Sequence, residues 1–116
     1  MSNSLPEYIE VIEAGYEFLL AYAAQGRESD EGQGGSEVRT TLAGMTEAAK
    51  AIAYETTDDG NEFTAVIRED AVKSLAAISL VLAQEKISSE LIDNLNASIH
   101  VRALLTDLFL LSETLD

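Results

Sequence analysis

After Lys73 the chain carries no charge through Ala83, and the stretch AVKSLAAISLVLA, from Ala71 to Ala83, reads as the middle of a buried helix. A helix that is apolar on every side must either sit centrally in a helical assembly or be covered by another chain. Whatever surrounds this stretch therefore has to come from the other helices or from a partner. The sequence on either side supplies candidates for both.

The first helix is expected over about 5-25, with Pro6 in its first turn, where a missing N–H costs nothing. Tyr8, Ile9, Ile12, Tyr16, Leu19, Leu20 and Ala23 follow the three-and-four spacing of one helical face, with Val11, Phe18 and Tyr22 on its flank. Gly15 interrupts that face and calls for a close helix contact in compensation. The segment 26-35, GRESDEGQGG, has no large apolar residue and reads as a flexible loop of glycine and acid. A second helix is expected over 37-56, with Ser36 as its N-cap and Val38, Leu42, Met45, Ala49 and Ile52 as its seam.

The run Thr56 to Asn61 is a turn by composition, and a third helix is expected over 62-85. A fourth follows over 89-114, with Ser88 as N-cap and Ile87 and Ile92 at the two positions of a hydrophobic staple. No strand-period segment or internal repeat is present. The expected fold is a single all-α domain over 1-116, an antiparallel up-and-down four-helix bundle.

Chemistry is scarce. The absence of cysteine removes disulfides, thiolate metal sites and cysteine nucleophiles. His100 is the single histidine, and Val101, Arg102, Ala103 and Leu104 after it do not fit the pattern of histidine phosphotransfer domains, which place a lysine and then a small residue there. A bundle di-metal site needs paired Glu-x-x-His elements, yet Ala97 stands three residues before His100 and no second histidine exists. No serine sits in a nucleophile elbow. The expectation is a protein that is not an enzyme and carries neither cofactor nor metal.

Seven Lys and Arg against 21 Asp and Glu give a formal charge of −14, which disfavours nucleic acid and anionic membrane surfaces. No window approaches the roughly 20 apolar residues of a membrane span, so a cytoplasmic location is expected. Glu7, Glu10, Glu13 and Glu17 share one side of the first helix and repel one another slightly, which makes them the candidate surface for a basic protein partner. The third and fourth helices carry more apolar residues than one core-facing stripe requires. Ala76, Leu80, Val81, Leu104, Leu108 and Leu111 are therefore candidates for a homodimer interface.

The functional expectation is an acidic helical protein acting by protein binding, as adaptor, chaperone or regulatory inhibitor, and as a homodimer. The alternative is a small-molecule or cofactor-binding bundle, with Tyr8, Tyr16 and Phe18 lining a pocket between the first and fourth helices.

Overall fold

A computed structural model describes residues 5–55 and 61–114. Ser4, most of the expected turn (Thr56 to Gly60) and Leu115 lie outside the described residues. Five helices are present among those described: α1 (Leu5–Ala23), α2 (Glu37–Glu55), α3 (Glu62–Leu82), α4 (Ser89–Ala97) and α5 (His100–Glu113). No strand occurs among them. The fold is all-α as expected, but the single fourth helix is corrected to two.

The break falls at Ser98 and Ile99. Ile99 takes a left-handed conformation, φ 61, and is the only non-glycine residue to do so among the described residues. Its N–H donates to the carbonyl of Asn96 at 3.1 Å, the inner bond of a helix ending in which glycine is the usual occupant. No proline or glycine marks the spot. Asn94, Asn96 and Ser98 do, since short polar side chains compete with the helix for backbone bonds.

The contacts form a ring. α1 touches α2, α4 and α5, and α3 touches α2, α4 and α5, while α1 does not meet α3 and α2 meets neither α4 nor α5. α4 and α5 also touch each other, and each of them packs on both α1 and α3. Down the middle run Ile12, Leu19, Leu42, Met45, Ile52, Ile67, Ile78, Ile92, Leu104 and Leu108, all buried. Ile87 and Ile92 are both fully buried, and Ser88 Oγ accepts the N–H of Leu91 at 3.0 Å, so the start of α4 forms as its sequence implies.

Gly15 stands where α1 crosses α2. A Cβ there would lie 2.5 Å from Met45 Sδ and 2.6 Å from Met45 Cγ, and Met45 is buried. The glycine lets the two helices approach. Gly15→Ala should therefore destabilise the chain in urea by about 1 kcal/mol, the overpacking cost exceeding the gain in helix preference. A more stable variant would show that Met45 has room to move.

Candidate interaction face and carboxyl pair

Each surface singled out by the sequence can now be placed. Glu7, Glu10 and Glu17 are exposed and Glu13 is half-buried, on the side of α1 away from its buried Ile12, Leu19 and Tyr22. No ion pair described includes them; Arg39 pairs with Asp30 instead. The proposed dimer residues do not form one face. Val81, Leu104 and Leu108 belong to the chain's own core, Leu111 is half-buried, and only Ala76 and Leu80 are exposed. The apolar surplus of α3 and α5 is thus largely absorbed internally.

What remains outside is a different set. On α3, on α5 and at the break before α5, Leu80 is 67% exposed, Ile99 58%, Leu110 54%, Val72 52%, Val66 40% and Phe109 40%. Four of them, Leu80, Ile99, Leu110 and Val66, lie along two adjoining flanks. Val66, Asp70, Lys73, Ala77 and Leu80 follow steps of four, three, four and three along one flank of α3. Ala103, Thr106 and Leu110 follow steps of three and four along α5, and Ile99, just before its first residue, lines one open groove of about 380 Å³ with Arg102, Ala103, Thr106 and Asp107.

Asp70 and Asp107 bring these flanks together. They stand on the two helices that meet here, and a side-chain hydrogen bond between them is one of the causes that raise Asp107. Two carboxylates cannot share such a bond without a proton between them. Burial is the main cause of the shift, followed by the hydrogen bond to Asp70 and the repulsion of its charge, and together they push Asp107 up to about 7. One oxygen of Asp107, Oδ2, is buried without any partner.

A second polar cluster holds the glycine-rich segment. That segment offers no apolar side chain to pack, and the structure fixes it through hydrogen bonds. Arg27 Nε donates to the carbonyl of Ser29 at 3.1 Å, Nη2 to that of Glu31 at 2.9 Å and Nη1 to that of Gln33 at 3.3 Å. Arg27 and Ser89 also bond each other twice, Ser89 N–H donating to the Arg27 carbonyl and Arg27 N–H to the side-chain Oγ of Ser89, both at 2.8 Å.

Asp30 accepts from Arg39 Nε at 2.6 Å and from the Ile87 N–H at 2.9 Å. Arg39 goes on to bond the carbonyls of Leu82, Gln84 and Glu85 at 3.2, 2.9 and 3.0 Å. The Leu82 carbonyl is one that the helix end leaves unsatisfied and the other two lie just beyond it, since α3 stops at Leu82 where 85 was expected. Gly35 completes the clasp, since a Cβ there would strike the carbonyl oxygen of Asp30 and come within 2.6 Å of Arg27 Nη2.

The aromatic residues are accounted for separately. Tyr8 donates its hydroxyl to Glu55, and Phe18 stacks on Tyr22 at 6.3 Å. Tyr22 is buried and donates to the carbonyl of Ile87 at 2.7 Å. Burial is the first cause raising its phenol above the ordinary value, with Arg27 acting in the opposite direction. Phe18 lines a groove between α1 and α2, with Val11, Ala14, Gly15, Thr40, Thr41 and Gly44, which is not the pocket expected between the first and last helices. His100, half-buried, opens α5.

Among the described residues no group of three or more His, Asp or Glu side chains is placed to hold a metal ion. No helix described is long and apolar enough to cross a membrane. Comparison with known proteins adds no relative: no family model, no curated protein and no solved structure matches the chain.

Proposed function

We propose that the chain acts by protein binding without catalysis, and that it binds a second copy of itself through the α3–α5 face. The observation that carries this reading is Ile99. A β-branched residue in the left-handed region is strained by about 1–3 kcal/mol, and such strain clusters at sites of function. The side chain kept at that cost is also more than half exposed, beside Leu80, Leu110 and Val66 on the same flanks. An apolar residue that neither fills the core nor suits its backbone has a natural use against a partner.

A second copy is favoured as that partner by charge. On a chain of formal charge −14, this face gathers Lys73 and Arg102, two of only seven cations, and a carboxyl that keeps its proton to near neutrality. Glu69 and Glu113 stand at its rim. Those cations lessen the repulsion between like-charged copies that dock here.

The scaffold for this face is an up-and-down bundle in which α4 and α5 serve as one bent corner. The bond from Tyr8, near the start of α1, to Glu55, at the end of α2, supports that direction of packing. The stripe of Glu7, Glu10, Glu13 and Glu17 is a separate proposal, a landing surface for a basic protein.

Ile99→Gly tests the reading with two readouts of opposite sign. Glycine adopts the left-handed conformation freely, so the folded chain should gain about 1 kcal/mol in urea unfolding. Self-association, followed by light scattering on a sizing column, should weaken by about tenfold or more as the contact side chain is lost. A wild-type chain that stays monomeric at high micromolar concentration contradicts the proposal.

A further inference from the structure

We propose that the proton shared by Asp70 and Asp107 controls self-association, so that two copies join when the pair holds the proton and separate when it is lost. This rests on the α3–α5 face being the one that self-associates, and it assigns a regulator to that face. The pair lies between the two exposed flanks: Val66, Lys73 and Leu80 lie along the α3 flank that bears Asp70, and Ile99, Ala103, Thr106 and Leu110 along α5 beside Asp107. A copy docked over these residues would cover the carboxyls between them.

The direction of the effect follows from the buried oxygen. Asp107 Oδ2 is already sealed inside the chain and has no partner, so a docking copy cannot bring a cation to it. Docking removes the remaining water around the pair and supplies no compensation at that atom. An ionised Asp107 is thereby penalised further, whereas the protonated pair is covered at little cost. Twofold symmetry doubles the effect, because each face carries one pair.

The charged groups around Asp107 do not reverse this. α3 presents Asp70, with Lys73 one turn along the same flank; α5 itself presents Arg102 in the groove and Glu113 at the rim. α1 and α4, the other helices packed on α5, carry the acids Glu13, Glu17, Glu90 and Asp93. Of all these, Asp70 is the one whose charge acts on Asp107, and it favours the proton.

The test is sedimentation equilibrium of the full chain at about pH 6 and about pH 8.5, on either side of the pair's titration, beside Asp107→Asn. Asparagine keeps the shape, can donate to Asp70 and cannot ionise, so it imitates the protonated pair. The wild-type dissociation constant should rise by about tenfold or more between the two pH values, while the variant keeps its low-pH affinity throughout. Titration elsewhere moves both proteins alike and drops out of the comparison. A dimer whose affinity changes equally in both proteins overturns the proton control and leaves self-association standing. A monomer under every condition overturns the self-association itself, and the proton control with it.

Discussion

Arg39→Ala is expected to lower the unfolding free energy by about 3 kcal/mol at neutral pH. Arg39 is bonded to Asp30 and to the carbonyls of Leu82, Gln84 and Glu85, so its loss unties both the end of α3 and the glycine-rich segment. Its guanidinium side is 36% exposed, and screening keeps the loss well below the sum of its bonds. Asp30 is only 11% exposed, and it would be left ionised with the Ile87 N–H as its main remaining support.

The Arg39 hydrogen bond is the first cause holding Asp30 below its ordinary value, with the Ile87 N–H second. A carboxyl with a depressed folded pKa adds stability above its unfolded pKa and loses it as pH falls through the folded value. The gap between wild type and variant should therefore be widest at neutral pH and should narrow below about pH 4. Urea unfolding at the two pH values reads this. A gap that does not change would mean that Arg39 acts through its carbonyl bonds alone.

Asp107→Asn is expected to act in the opposite direction, stabilising the folded monomer by about 1–2 kcal/mol near pH 8, after discounting for solvent at a half-buried group. The folded value of about 7 stands well above the ordinary carboxylate range. A raised carboxyl contributes stability that is complete below the unfolded pKa and is lost as pH rises through the folded one. Wild type should weaken between about pH 4 and pH 7, and the variant should not. Thermal melts of dilute, monomeric protein across that range compare the two directly. Equal pH profiles would mean that the pair is relaxed by water and stores no repulsion.

Much of the helical architecture can be read from side-chain periodicity, because burial of one face is a local pattern. The seam of Val38, Leu42, Met45, Ala49 and Ile52 is buried as a unit, and Asn61 and Ser88 cap α3 and α4. The interruption at Ile99 was harder to read, since an isoleucine stands where glycine belongs. The weak helix formers just before it were the available signal.

The carboxyl pair left no signal at all. Asp70 and Asp107 sit on separate helices, and each looks like an ordinary exposed acid in its own helix. The division of Leu80, Val81, Leu104 and Leu108 between surface and core was hidden for a related reason. Apolar surplus on a helix says how much is covered, while the rotation of that helix decides which residues are. Arg27, Asp30 and Arg39 escaped notice because polar fastening to distant carbonyls has no period.

The clasp on the glycine-rich segment also bears on how the chain comes together. Its bonds join Arg27 to Ser89, 62 residues away, and Tyr22 to Ile87, 65 residues away. Four glycines make the segment entropically expensive to hold, so it gains order only once the end of α3 and the start of α4 are in position. The stretch of sequence least able to fold alone thus becomes a late checkpoint of assembly, set in place when its distant partners have arrived.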